Sequence, residues 1–257
     1  MLYGSKKVMR FDYGKKRENN NKALLRLAAF LCIITIMLVA TSSFFKLKKI
    51  EVEGNSSIPD SEILEIVNRY LGKNIFTIKP ALIGEEIRQA IPVKEATVRV
   101  SLPGTMVVRV VERDVAAAVP YLGGFILIDQ SGYVVDVRTD LENLRLPIIT
   151  GLEIAKPEKA KTIAIKDNQD LLEDLKNILK YLYSMREELS EIHMDYQGGE
   201  SSFFIYTLDG FQIYLEEDDI GEEKFSLMKS VLGDLRNRGM DKGLIDLSKE
   251  APVFKAF

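Results

Sequence analysis

Residues 93–112 read VKEATVRVSLPGTMVVRVVE. Apolar and polar residues alternate through 93–101 and again through 106–112, the period of strands with one buried face. Between them stands Leu102-Pro103-Gly104-Thr105, turn chemistry that closes a hairpin. Upstream, residues 80–91 open on Pro80, suited to a first helical turn, and stop before Pro92. Residues 59–71 repeat Ile63, Val67, Tyr70 and Leu71 at helical spacing, with Ser57 or Asp60 as N-cap and Gly72 as the stop. Residues 47–53, LKKIEVE, place Leu47, Ile50 and Val52 in a short strand before Gly54-Asn55. The predicted order is strand, helix, helix, strand, strand.

Before this unit, residues 27–45 (LAAFLCIITIMLVATSSFF) run for 19 positions without a charge. A helix of that length spans about 28 Å, close to the hydrocarbon thickness of a bilayer. Its hydroxyls bond back to carbonyls one turn earlier and do not oppose a span. Residues 1–26 carry eight Lys and Arg against Asp12 and Glu18, a net +6, which leaves −9 for the rest of a chain whose total is −3. Seven basic residues closely precede the apolar run and only Lys46, Lys48 and Lys49 follow it, which predicts a cytoplasmic N-terminus. A cleaved signal peptide would have a shorter apolar core and a small-x-small site, and Leu38-Val39-Ala40 offers a bulky residue instead. An uncleaved anchor in the lipid bilayer is expected. Topology and anionic lipid account for the basic head without nucleic acid.

Downstream, residues 125–129 and 133–137 flank Gln130-Ser131-Gly132, and residues 203–207 and 211–215 flank Leu208-Asp209-Gly210, so both pairs read as hairpins. Two helices are predicted among them. Residues from Asn168 to about Glu188 repeat Leu171, Leu175, Ile178, Leu182 and Met185, and residues 222–238 repeat Met228, Val231, Leu232 and Leu235 before Gly239. Helices on one face of such strands make an α+β domain with an antiparallel-rich sheet. Residues 153–166 read as a connection, with one short strand at 162–165.

The 257 residues are 46% hydrophobic and 28% charged, which is the composition of a folded chain. A single Cys32, inside the apolar run, and a single His193 exclude a disulfide framework, a Cys/His zinc site and a Cys/His nucleophile within one chain. The lack of cysteine in residues 46–257 fits an extracytoplasmic body. His193 and Asp195 are spaced to share a strand face, but no G-x-S-x-G turn or other positioned nucleophile accompanies them, so His193 is read as structural or surface. The acidic run Glu216-Glu217-Asp218-Asp219 lacks EF-hand spacing and reads as a solvated loop beside a helix start. Gly123-Gly124 and Gly198-Gly199 read as turns rather than phosphate cradles. No enzyme, metal, cofactor or small-molecule substrate is indicated.

The C-terminus reads KEAPVFKAF. Pro252 is tolerated at a strand start or an edge, which predicts a terminal edge strand over residues 253–257. An unpaired edge accepts a strand from another chain. A frayed tail would need less apolar character than Val253, Phe254 and Phe257 supply.

The anchor followed by FKLKKIEVEGNSSIPDSEI, NIFTI and SLPGTMVVRVVERDVAA resembles the POTRA module of the bacterial division proteins FtsQ and DivIB. FILIDQSGYVVD, LRLPIITGLEI and LIDLS resemble that family's distal elements in order, with Ser248 where the family has Arg. The resemblance implies a basic cytoplasmic tail (1–26), a transmembrane helix (27–45), a β-α-α-β-β POTRA domain (46–114) and a second α+β domain (115–257). It implies a non-enzymatic scaffold of the septal division machinery, docking coiled-coil partners of the FtsB or DivIC kind together with FtsL. The matching contact positions are Ile245, Asp246, Leu247 and Ser248, then Val253, Phe254, Lys255, Ala256 and Phe257. The alternatives are a POTRA protein assisting polypeptide transport or assembly, and a membrane-anchored cell-wall enzyme.

Overall fold

The computed structural model describes residues 14–141, 144–166, 170–197 and 200–257. The expected helix start at Asn168, the Gly198-Gly199 turn and much of the basic head lie outside the described residues. Helix α1 (Gly14–Ala40) carries an exposed apolar stretch, Asn21–Ala40, long and apolar enough to cross a membrane. It ends before the uncharged run does. The Thr41 hydroxyl donates back to the Met37 carbonyl at 2.9 Å, and Ser43–Phe45 form one 3-10 turn capped by Ser42.

The first domain has the expected order: β1 (Lys49–Glu53), α2 (Asp60–Val67), α3 (Pro80–Ala90), β2 (Val93–Ser101) and β3 (Thr105–Glu112). The sheet order is β1-β3-β2, with β1 parallel and β2 antiparallel to β3. A parallel pair needs a crossover, and the two helices supply it. Ile63 and Val67 of α2 and Ile83 and Ile87 of α3 bury themselves against Leu47, Met106, Val108 and Val110.

Two local expectations are corrected. Neither Ser57 nor Asp60 caps α2, which follows Pro59. The Ser57 N–H donates to the Glu112 carboxylate at 2.9 Å, and Asp60 accepts from Asn55 Nδ2 at 2.7 Å. Leu71 is not on the buried face: a 3-10 turn over Asn68–Tyr70 changes the periodicity and leaves it 45% exposed.

The second domain comprises β4 (Ala117–Tyr121), β5 (Gly124–Ile128), β6 (Val134–Arg138), β7 (Ile148–Thr150), α4 (Asp170–Leu182), β8 (Leu189–Gln197), β9 (Glu200–Thr207), β10 (Phe211–Glu216), α5 (Glu222–Asn237), β11 (Gly243–Asp246) and β12 (Val253–Ala256). They form one sheet ordered β12-β11-β10-β9-β8-β7-β4-β5-β6, antiparallel except at β4·β7, β7·β8 and β10·β11. Helices α4 and α5 bury Leu175, Ile178, Leu182, Phe225, Met228 and Leu232 on one face, with the Tyr181 and Phe225 rings stacked at 5.1 Å.

Both predicted hairpins form, as β5–β6 and β9–β10. The periodicity does not announce β4, β7 or β8. Strand β4 even contains Pro120, yet the Ala118 N–H donates to the Pro147 carbonyl at 3.0 Å, so the nitrogen two residues on points the same way, past the end of the short β4·β7 ladder. The short strand expected over 162–165 does not form. That segment makes single bridges only, Tyr133 to Thr162 and Ile154 to Ile165.

Candidate functional site at the C-terminal sheet edge

Strand β12 is outermost in the nine-stranded sheet and among the described residues pairs with β11 alone, in the register Gly243 to Ala256, Leu244 to Lys255, Ile245 to Phe254 and Asp246 to Val253. Alternation sets the role of each side chain. Phe254 turns inward, half-buried, with its ring centroid 6.4 Å from that of Phe211. Val253, Lys255, Ala256 and Phe257 are exposed. The approach of Phe254 requires glycine diagonally across from it: a Cβ at Gly243 would lie 2.4 Å from the Phe254 ring and 2.7 Å from the Lys255 carbonyl.

The preceding segment divides differently from what a contact motif would suggest. Ile245 and Leu247 are 0% and 1% exposed, so they hold β11 in the core and their side chains are not at the surface. Asp246 and Ser248 pair with each other, the Ser248 hydroxyl and N–H donating to Asp246 Oδ1 at 2.7 and 3.0 Å. The structure therefore brings Val253, Lys255, Ala256 and Phe257 to an open edge and withdraws Ile245 and Leu247 from it.

Lys224 supports this edge, and the sequence pattern does not single it out. Its Nζ donates to the carbonyls of Leu247 and Lys249 and lies 2.8 Å from Asp219 Oδ1. This corrects the reading of residues 216–219 as simply solvated. Asp219 is buried and accepts the Glu216 N–H at 3.1 Å in a capping box around a 3-10 turn, Glu217–Asp219. On the helix-free face beside the edge, burial and the carboxylates of Glu216 and Asp246 push the Tyr214 phenol above its ordinary pKa. The Tyr214 and Phe204 rings lie 5.0 Å apart there.

His193 stands on that same helix-free face of β8. Thr150 Oγ1 lies 2.7 Å from His193 Nδ1 and donates to Glu191 at 2.5 Å, a bridge between adjacent strands β7 and β8. Gly151 follows because a Cβ there would lie 1.8 Å from the Met194 carbonyl. Among the described residues no group of three or more His, Cys, Asp and Glu is placed to hold a metal ion.

Residues 45–113 match the family model for the POTRA domain, FtsQ-type, and residues 117–248 match the model for the C-terminal region of cell division protein FtsQ/DivIB. The chain belongs to the FtsQ/DivIB family of cell division proteins. Among curated relatives of this FtsQ/DivIB chain, cell division protein FtsQ of Geotalea daltonii is 30% identical over 169 residues, which is 65% of this chain and 60% of that protein. Cell division protein DivIB of Clostridium botulinum strain Hall is 24% identical over 93% of each chain. The solved major extracytoplasmic domain of DivIB from Geobacillus stearothermophilus aligns with 49% of this chain and 96% of its own, at 14% identity and a TM-score of 0.32. In this FtsQ/DivIB chain β12 lies beyond the matched C-terminal region, which ends at residue 248.

Proposed function

We propose that this chain is a non-enzymatic scaffold of the bacterial division machinery, anchored through α1 with its N-terminus in the cytoplasm and its two folded domains outside, at the septum. Strand β12 receives an incoming strand from coiled-coil division proteins of the FtsB or DivIC kind, acting with FtsL. The observation that carries this reading is the open outer side of β12, whose Val253, Lys255, Ala256 and Phe257 are all exposed. Main-chain bonds along such an edge supply affinity and the exposed side chains supply selectivity. Because Ile245 and Leu247 are buried, their part is to hold β11 as the platform on which β12 lies.

The test is a pull-down from the membrane fraction with the full-length protein and with a variant lacking residues 253–257. Coiled-coil division proteins should be recovered with the former and lost with the latter. Equal recovery would place the docking surface elsewhere.

A further inference from the structure

The end of the POTRA domain nearest α1 differs in character from the rest of it. Three segments converge there. Leu47 exchanges backbone bonds with the 72–73 segment, its N–H donating to the Lys73 carbonyl at 2.8 Å and its carbonyl accepting from Gly72 at 2.9 Å. The Lys48 N–H donates to the Gly104 carbonyl at 2.8 Å, and Gly104 has no room for a Cβ, which would lie 2.3 Å from the Lys46 carbonyl. Residues 43–50, 70–84 and 100–106 therefore share one end, and they contain Lys46, Lys48, Lys49, Lys73 and Lys79 but no Asp or Glu. The opposite end, where α2 begins and β3 finishes, carries Asp60, Glu62, Glu112 and Asp114.

The same end is apolar as well as basic. Phe44, Phe76, Leu82 and Leu102 are 59%, 62%, 62% and 67% exposed. The Phe45 and Phe76 rings lie 5.2 Å apart and wall an apolar groove whose other side is Thr35, Ile36, Val39 and Ala40 of α1. Lys46, Lys73 and Lys79 have no carboxylate partner among the described residues. This end is also tied directly to the anchor: Asn74 Nδ2 donates to the carbonyl of Ala40, the last residue of α1, at 2.7 Å.

Position supplies the occupant. On the anchor reading α1 crosses the bilayer along Asn21–Ala40, and the Asn74 bond to the Ala40 carbonyl holds this end of the domain where the helix leaves the hydrocarbon. Exposed apolar side chains held there suit the acyl boundary, and lysines beside them suit anionic headgroups. We infer that the anchor-side end of the POTRA domain is seated in the outer membrane surface, with Phe44, Phe76, Leu82 and Leu102 at the acyl boundary and Lys46, Lys73 and Lys79 on anionic lipid phosphates. The inference rests on the anchor reading of α1. It makes the first domain a fixed pedestal rather than a body free to swing about its tether.

The chain has no tryptophan, so a single introduced one reports its own site. Full-length Phe76→Trp, Leu82→Trp and Leu102→Trp proteins are reconstituted in phosphatidylcholine/phosphatidylglycerol vesicles carrying acyl-brominated lipid. Met37→Trp reports the anchor and Leu122→Trp, at a residue 90% exposed in the second domain, reports bulk solvent. Tryptophan at positions 76, 82 and 102 should be quenched several-fold more than tryptophan at position 122, with blue-shifted emission. Replacing Lys46, Lys73 and Lys79 by Glu in the Phe76→Trp protein should reduce its quenching. Quenching at position 37 but not at 76, 82 and 102 would overturn the seat while leaving the anchor intact. Absence of quenching at position 37 would overturn both. Quenching of the Phe76→Trp protein that is indifferent to the lysine replacements would overturn the assignment of those lysines to lipid phosphates.

Discussion

The guanidinium of Arg113 pairs with the carboxylate of Asp129 where the two sheets meet. Arg113 leaves the end of β3, donates through Nε to the Val93 carbonyl at 3.2 Å, and lies 3.7 Å from the Tyr133 ring centre. Asp129 is 8% exposed and also accepts the N–H groups of Ser131 and Tyr133 at 2.8 and 2.9 Å. One residue thus organises the β5–β6 turn and receives the linker from the first domain. Replacing Arg113 by Ala would leave a buried carboxylate without its cation, a change that costs about 3 kcal/mol. Thermal unfolding of the part that follows α1 should show a Tm lower by several degrees.

A second junction is sensitive to acid. Burial pushes the Glu112 carboxyl up, but the N–H groups of Ile58, Ser56 and Ser57 and the Ser56 hydroxyl outweigh it and hold its pKa below the ordinary value. A carboxyl lowered on folding stabilises the native state above its unfolded pKa, and that contribution disappears as pH falls through the folded value. Denaturation of wild type and Glu112→Gln should therefore differ most at neutral pH. The difference should shrink as pH drops below about 4.3.

The cores of the two domains are separate clusters, with Val67 fully buried in the first. A fragment spanning residues 46–114 should unfold cooperatively by itself. Val67→Asp should abolish that transition, because it buries a charge with no partner. A folded Val67→Asp fragment, seen by circular dichroism, would contradict the packing of α2.

Phe254→Pro should remove recruitment of the proposed coiled-coil partners, since proline deletes a donor from β12 and clashes with a continuing ladder. Gly243→Ala, a change in β11, should weaken it by forcing Phe254 and the Lys255 backbone of β12 away from β11. Protein abundance in the membrane fraction should be nearly unchanged in both. His193→Ala, on the helix-free face, should leave division intact.

The charge asymmetry around α1 predicts the outcome of a topology assay. A reporter active only outside the cytoplasm should work when fused after Phe257 and fail when fused before Lys22. Activity of the N-terminal fusion would reverse the orientation.

Local pattern is enough for much of this protein. The alternation in residues 93–112, the helical spacing of Ile63 with Val67 and of Leu171, Leu175, Ile178 and Leu182, and the Gly-containing turns define elements by contacts between near neighbours, so they are legible in one dimension. Pro252 and the apolar tail likewise announce the terminal strand. What near neighbours do not encode was decided by the tertiary structure. Strand β7 is three residues long, too short to show a period, and β4 is apolar throughout its buried part with Pro120 near its end, so it shows no alternation; both exist because β8 and β5 pair with them on either side. Ile245 and Leu247 belong to a motif that reads as a contact surface, yet the parallel β10·β11 pairing and α5 turn them into the core. Lys224, paired with Asp219, meets the C-terminal turn only once α5 is packed. The basic, apolar end of the first domain is assembled from three segments far apart in sequence, and backbone hydrogen bonds between β1, the 70–74 turn and the β2–β3 turn bring them to the same side.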